Sequence, residues 1–156
     1  MSPTHVSRAR CLGFLSLKGE PTSVAATEGN VLVGVNMSES FTNPSGRLAV
    51  VSVADRTEAS SCTLPGQPDS VAVSPDGTFA AVAIENERDE DLNEGALPQL
   101  PAGTLVVFSL ANGTPDCATM KTVDMTGLSD IAPTDPETEF VDFNAANEIE
   151  IGRAHV

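Results

Sequence analysis

An internal repeat constrains the fold of this chain more than any other feature. The segment Pro21-Thr22-Ser23-Val24-Ala25 recurs 47 residues later as Pro68-Asp69-Ser70-Val71-Ala72. Each copy is followed by a turn, a second apolar run, a polar loop and a Gly-x-Leu segment, at residues 46–53 and again at 103–110. A third copy, residues 139–149, aligns without gaps onto residues 69–79. Such a period predicts a series of similar units that stack on one another.

Short apolar runs separated by turn signals fill the chain, with almost no helical periodicity. The runs are residues 31–37, 48–53, 71–74, 78–84, 104–110 and 139–143. They are rich in Val, which suits a pleated surface, and several are continuous, which predicts strands buried on both faces. Turn signals such as Pro75-Asp76-Gly77 and Ala111-Asn112-Gly113 stand between them. The sequence therefore predicts an all-β antiparallel fold.

Each repeat holds four predicted strands, of which the last spans residues 59–64 and 119–125, and residues 12–17 would end a preceding unit. Four antiparallel strands at a period of about 40–50 residues are typical of a β-propeller blade. A β-sandwich is the alternative, but it requires no internal repeat. We predict a β-propeller fragment with about two complete four-stranded blades and partial blades at each end.

The predicted blades span residues 21–65 and 68–126, and a third begins at residue 138. Residues 1–11 form an N-terminal segment of uncertain character. Because a propeller needs about four or more blades to close, we expect the chain to be a fragment whose partners include the remaining blades of the same chain.

The two ends of the sequence differ from the rest. The N-terminus lacks the continuous apolar stretch of a secretory signal, so no signal peptide is visible. The last six residues, 151–156, match the translation of ATC GGA AGA GCA CAC GTC, the start of a common sequencing adapter. We therefore predict that residues 150–156 are an adapter artefact, with Glu150 encoded by a hybrid codon.

The charge of the chain limits its partners. It has 22 Asp and Glu against 8 Lys and Arg, a net charge of -14. Such a charge repels phosphate backbones and anionic lipid, which argues against binding to nucleic acid. No apolar run approaches the length of a bilayer span, so the segment is not expected to insert into a membrane.

The loop between the second and third strands of the second repeat is a candidate cation site. Residues 85–94 contain six carboxylates and two Asn amides. Hard oxygen ligands of this kind suit calcium, although the spacing does not match an EF-hand. The candidate ligands are Glu85, Glu87, Asp89 and Asp91, and calcium is the one cofactor suggested. The alternative is a solvated acidic loop without a ligand, and this interpretation is preferred.

Nucleophilic catalysis has little support. His5 and His155 are the only histidines, and neither a G-x-S-x-G motif nor a phosphate-binding glycine loop is present. We therefore predict no catalytic residue.

The three cysteines are Cys11, Cys62 and Cys117, with no C-x-x-C motif. A bridge between Cys62 and Cys117 requires Cα atoms within about 7 Å, which the perimeters of neighbouring blades rarely offer. We therefore expect free or differently paired thiols.

Three segments carry a resemblance to a known family: SVAVSPDGTFAAVAIENE at residues 70–87, GTLVVFSL at 103–110 and PETEFVDFNAANEI at 136–149. In these segments the sequence resembles the choice-of-anchor I family of YVTN-type β-propellers, many members of which carry names such as alkaline phosphatase. The likeness covers most of residues 12–149. It implies a secreted or surface-anchored propeller and an extracellular or cell-surface location, but supplies no catalytic residues.

Two functions remain open. The leading hypothesis is a non-catalytic extracellular or cell-surface β-propeller module that binds an unknown ligand or protein partner. The alternative is a fragment of a secreted metal-dependent phosphoesterase similar to alkaline phosphatase. The acidic loop and the names within the family support this alternative, so enzyme activity is left uncertain and is not expected for this segment.

Overall fold

The computed structural model describes residues 11, 13–85, 87, 89, 91–95 and 100–125 of the 156-residue chain. The strands are β1 (Glu20–Ala26), β2 (Asn30–Asn36), β3 (Gly46–Ser52), β4 (Thr57–Leu64), β5 (Gln67–Val73), β6 (Phe79–Glu85), β7 (Thr104–Ala111), β8 (Thr114–Pro115) and β9 (Lys121–Asp124). Two short 3-10 turns occur, at Leu92–Gly95 and Cys117–Thr119, and this part of the chain contains no α-helix. The all-β prediction is confirmed.

The strands form two antiparallel meanders that follow the repeat. The first sheet has the order β1-β2-β3-β4. The second has the order β5-β6-β7, with β9 and the two-residue β8 both paired to β7. Two successive antiparallel sheets, of four and five strands, are consistent with a partial propeller-like fold. A smaller expectation fails, because residues 13–17 form no strand, and the predicted strand at 139–143 lies outside the described residues.

A hydrophobic core lies between the two sheets. Its buried members are Leu32, Leu48, Val50, Cys62, Leu64, Val71, Ala80, Val82, Ile84, Val106 and Phe108. On the opposite face of the first sheet, Val33, Val35 and Ala49 form a second buried cluster. Because side chains alternate between the faces of a strand, β2 and β3 are buried on both sides. The continuous apolar runs of these strands predicted this arrangement.

The second sheet crosses the first where the first sheet has glycines. A β-carbon added to Gly34 would lie 3.1 Å from Pro68 Cβ and 3.3 Å from Val71 Cγ2. One added to Gly46 would lie 2.4 Å from Pro68 Cδ and 2.6 Å from the carbonyl oxygen of Gly66. The start of β5 therefore passes so close to β2 and β3 that Gly46 has no room for a side chain.

Polar groups of β1 join the two sheets along this crossing. The Thr22 hydroxyl donates a hydrogen bond to the Pro68 carbonyl at 2.6 Å, and Ser23 Oγ accepts one from the Val71 amide at 3.0 Å. At the position of the second repeat that corresponds to Thr22 stands Asp69, and burial raises the pKa of its carboxyl. In the first unit, Thr22 and Ser23 of the repeat motif therefore link one sheet to the next by hydrogen bonds.

The turn between β5 and β6 is organised by Asp76. Its Oδ1 accepts hydrogen bonds from Ser74 Oγ at 2.6 Å, Thr78 Oγ1 at 2.7 Å and the Thr78 amide at 3.0 Å. These hydrogen bonds, of which the one from Ser74 has the largest effect, lower the pKa of Asp76 to about 2. Gly77 follows with a φ of 68°, a conformation that glycine adopts without strain.

Asp76→Asn is expected to lower the melting temperature at neutral pH, because the ionised carboxylate is the preferred acceptor in this turn. A folded pKa below the unfolded value of 3.8 means that the stabilisation is present above pH 3.8 and is lost as the pH falls towards about 2. Thermal melts of both proteins across this range should therefore show the difference shrinking with acidification. An equal difference at both ends of the range would contradict the role of the charge.

The expectation about the cysteines is wrong. Cys62 and Cys117 form a disulfide, with their Cα atoms 5.4 Å apart, and Cys11 is free and exposed. The physical reason lies in the connection that precedes the last strand of each unit. In the first sheet this connection is residues 53–56, whereas in the second it is residues 112–120, which include β8 and a 3-10 turn. The longer connection carries Cys117 back to β4 of the first sheet.

Candidate functional site

A cleft of about 490 Å³ opens where the two sheets meet at one end. Its lining residues are Glu20, Asn36, Ser38, Glu39, Ser40, Phe41, Gln67 and Glu87. They come from the starts of β1 and β5, the end of β2, and the loops that follow β2 and β6. The cleft is therefore built from both repeats, at the end of the sheets where the loop between second and third strands emerges.

Side-chain hydrogen bonds shape the loop between β2 and β3. Asn36 Oδ1 accepts from the Ser38 amide at 2.9 Å, and Ser38 Oγ accepts from the Ser45 amide at 3.1 Å. Further along, Asn43 Nδ2 donates to Glu39 Oε2 at 3.0 Å. Asn and Ser favour such local bonds in turns. Glu39 lines the cleft, and Phe41, in the same loop, is 42% exposed.

The electrostatic character of the cleft is negative. Three of the eight lining residues carry carboxylates, namely Glu20, Glu39 and Glu87, and none of the eight carries a positive charge. In a chain with a net charge of -14, these groups produce a potential that attracts cations and repels anions.

Two of the predicted metal ligands meet at the wall of this cleft. Gln67 Nε2 donates to Glu85 Oε2 at 3.3 Å and to Glu87 Oε2 at 3.2 Å. The amide therefore brings the two carboxylates to one point and supplies N–H groups to both of them. In this arrangement the amide nitrogen stands at the point where the two carboxylates could share a cation.

The other two predicted ligands serve the loop itself. Asp89 Oδ1 accepts a hydrogen bond from the amide of Asp91 at 3.0 Å, just before the 3-10 turn Leu92–Gly95. Among the residues that the structure describes, no three His, Cys, Asp or Glu side chains come together as a metal-binding group. A second acidic stretch in the sequence, residues 127–139 with Asp130, Asp135, Glu137 and Glu139, lies outside those residues.

Calcium binding by this loop stays a prediction, and we expect the binding to be weak. Calorimetric titration with calcium should give heat that shrinks in Asp89→Asn/Asp91→Asn and in Glu85→Gln/Glu87→Gln. Carboxylate oxygens are preferred calcium ligands, and each substitution removes charge without changing size. Glu28→Gln, in the β1–β2 turn at the other end of the first sheet, is the control that removes a charge elsewhere. If the heat of calcium binding is unchanged in both double variants, the loop is a solvated acidic loop without a ligand.

Of the eight residues that line the cleft, only Glu87 was predicted from the sequence as a site residue. The loop at residues 36–45 has little charge, so it attracted no functional prediction, yet it supplies Glu39 and Phe41. A signal was present in the repeat, because both loops join the second and third strands of their units. Loops at equivalent positions of neighbouring units emerge at the same end, which predicts that Glu39 and Glu87 lie at the same end of the sheets.

Among the described residues no helix has the length and apolar character needed to cross a membrane.

Comparisons with known proteins give one positive finding. No curated protein and no solved structure shows significant similarity to the chain. The family model described as the choice-of-anchor I domain matches residues 1–150, which is nearly the whole sequence. The chain belongs to the choice-of-anchor I domain family, whose name suggests a module related to the cell surface.

Proposed function

We propose that this chain is a non-catalytic module of an extracellular or cell-surface protein, and that it binds a cationic segment of a partner protein in the cleft between its two sheets. The single observation that carries the proposal is the lining of the cleft. Both repeats contribute to it, three carboxylates stand in it without a positive partner in the lining, and an exposed ring, Phe41, lies at its rim.

The chemistry of the cleft suits Lys or Arg side chains. A carboxylate pairs with an ammonium or guanidinium group, and the face of a Phe ring attracts the same cations. Asn36 and the neighbouring hydroxyl groups add hydrogen-bond acceptors. An anionic ligand such as a phosphate ester would instead be repelled, which favours binding over phosphoesterase activity.

The disulfide supports an extracellular location. Disulfides persist in oxidising compartments and are rare in the cytosol. The bond between Cys62 and Cys117 links β4 of the first sheet to the connection between β8 and β9 of the second, so it also holds the two repeats together outside the cell.

The test is binding of an oligolysine peptide, with an oligoglutamate peptide for comparison, measured by fluorescence anisotropy at low and high salt. We expect binding of the basic peptide only, weakened by salt because exposed charges are screened. Phe41→Ala should weaken it about fivefold, the equivalent of about 1 kcal/mol for a cation–π contact. Glu39→Gln should also weaken it.

Glu28→Gln controls for the overall negative charge, since it removes the same charge outside the cleft and should leave the affinity nearly unchanged. Equal effects of Glu28→Gln and Glu39→Gln would show that the peptide binds to the general surface and would reject the cleft. Phosphatase activity that a chelator abolishes would reject the non-catalytic assignment in favour of the phosphoesterase.

A further inference from the structure

Some asparagines of this chain stand two residues before a serine or a threonine. They begin the segments Asn36-Met37-Ser38, Asn43-Pro44-Ser45 and Asn112-Gly113-Thr114. An Asn-x-Ser/Thr segment is the acceptor for an N-linked oligosaccharide in a secreted protein, provided that the middle residue is not proline. Pro44 therefore excludes Asn43. The sequence leaves Asn36 and Asn112 as acceptors, and the structure gives them different surroundings.

Asn112 lies at the tip of an exposed hairpin. Asn112 and Gly113 form the two-residue turn between β7 and β8, in which Ala111 pairs with Thr114. Both turn residues have a positive φ, 51° at Asn112 and 71° at Gly113, which is the conformation that favours Asn-Gly in hairpins. Asn112 is exposed. A bulky group attached to its amide would therefore extend into solvent.

The other side of this turn is packed against the first sheet. The Thr27 hydroxyl donates a hydrogen bond to the Gly113 carbonyl at 2.8 Å, and Asn30 Nδ2 donates one to Thr114 Oγ1 at 3.2 Å. A β-carbon added to Gly113 would lie 2.7 Å from the carbonyl oxygen of Glu28. The middle residue of the segment is therefore held in place, while the asparagine beside it is open to solvent.

Asn36 has a less accessible position. It ends the central strand β2, where it pairs with Glu20 of β1 and with Gly46 of β3. It is half-buried, and its Oδ1 accepts a hydrogen bond from the Ser38 amide at 2.9 Å. It also lines the cleft. An oligosaccharide on Asn36 would have to fit among the residues that line the cleft, between the ends of the two sheets.

We propose that Asn112 is an N-glycosylation site of this protein, and that Asn36 carries no oligosaccharide in the folded molecule. The donor is an oligosaccharide linked to a polyprenyl diphosphate, and a transferase of the secretory pathway catalyses the step. A bond forms between Asn112 Nδ2 and the anomeric carbon of the first sugar, and the bond from that carbon to the diphosphate oxygen breaks. The polyprenyl diphosphate leaves, and the amide gives up one proton.

The proposed acceptor lies at the end of the sheets opposite the cleft. Thr104 at the start of β7 pairs with Ile84, next to Glu85, which pairs with Gln67 in the wall of the cleft. The strand β7 then runs away from the cleft to Ala111. An oligosaccharide on Asn112 therefore leaves the cleft open. The proposal shares the extracellular location with the proposed function, but it does not depend on what the cleft binds.

The test is secretion of the full chain from eukaryotic cells, with a cleavable signal peptide added to its N-terminus. The secreted protein is analysed by peptide mapping before and after enzymatic deglycosylation in heavy-oxygen water, which labels each asparagine that carried an oligosaccharide. We expect label at Asn112 and none at Asn36. Thr114→Val should abolish the modification, because it removes the hydroxyl that the segment requires, and Thr114→Ser should retain it. Pro44→Ala should add a second oligosaccharide, at the exposed Asn43.

An unmodified Asn112 in the secreted protein would overturn the proposal, and label at Asn36 would overturn the choice between the two acceptors. Oligolysine binding is then compared between the glycosylated and the deglycosylated protein. Equal affinities are expected, and weaker binding by the glycosylated protein would contradict the placement of the oligosaccharide away from the cleft. If neither form binds oligolysine, the proposed function fails, while the mapped label still decides the glycosylation of Asn112.

Discussion

Replacing both bridged cysteines, as Cys62→Ala/Cys117→Ala, is expected to lower the free energy of unfolding by about 4 kcal/mol. The disulfide closes a loop with a sequence separation of 55 residues, and the loss of entropy that such a loop imposes on the unfolded chain corresponds to about 4 kcal/mol. Loss of the buried Cys62 sulfur from the core between the sheets adds to this effect. Urea unfolding followed by circular dichroism measures the change.

Two comparisons make this result specific. Cys11→Ala changes the free and exposed thiol and should leave the stability unaltered. Reduction of the parent protein should reproduce most of the loss that the double variant shows. A loss below about 1 kcal/mol in the double variant would mean that the bond adds little beyond the packing of the sheets.

Phe108→Ala is expected to destabilise the protein by about 3–5 kcal/mol. Phe108 lies on β7, is fully buried, and is the largest side chain in the core between the sheets. Its removal would leave a cavity lined by aliphatic side chains of both repeats, which neither sheet can fill without moving. Thermal or denaturant unfolding provides the measurement.

Phe79→Ala is the matched control, because it makes the same substitution in the same sheet. Phe79 lies on the side of the second sheet that faces away from the first and is 45% exposed, so truncating it should cost less than half as much as truncating Phe108. Similar losses at the two positions would contradict the assignment of the core to the space between the sheets.

The candidate site shows how far sequence reasoning about function could go. Glu85 and Glu87 were identified from the density of carboxylates alone, and their meeting at Gln67 was not foreseen. Gln67 immediately precedes the repeat motif at Pro68, and nothing in its own identity marks it as a partner of the loop. Its role depends on the antiparallel pairing of β5 with β6, which places Gln67 opposite Glu85.

The disulfide shows a different kind of error. The expectation of free or differently paired thiols rested on the distance between the perimeters of neighbouring blades, which is large when the two units have the same outline. The nine-residue connection at residues 112–120, against four residues at 53–56, breaks that equivalence. A loop insertion changes where a side chain goes without changing the strand pattern, so the apolar periodicity contained no warning of it.

The sequence predicts most of the strands, their antiparallel order and the repeat, because burial patterns and turn chemistry are local properties of the chain. Continuous Val-rich runs also determined that β2 and β3 are buried on both faces. Which distant residues meet is a property of the folded molecule. Pro68 lies against the glycines of the first sheet, Cys62 is bonded to Cys117, and the loop carrying Glu39 lines the same cleft as Glu87. Those contacts depend on how one sheet crosses the other. Packing across the core sets that geometry, and the residues adjacent in sequence to each contact do not.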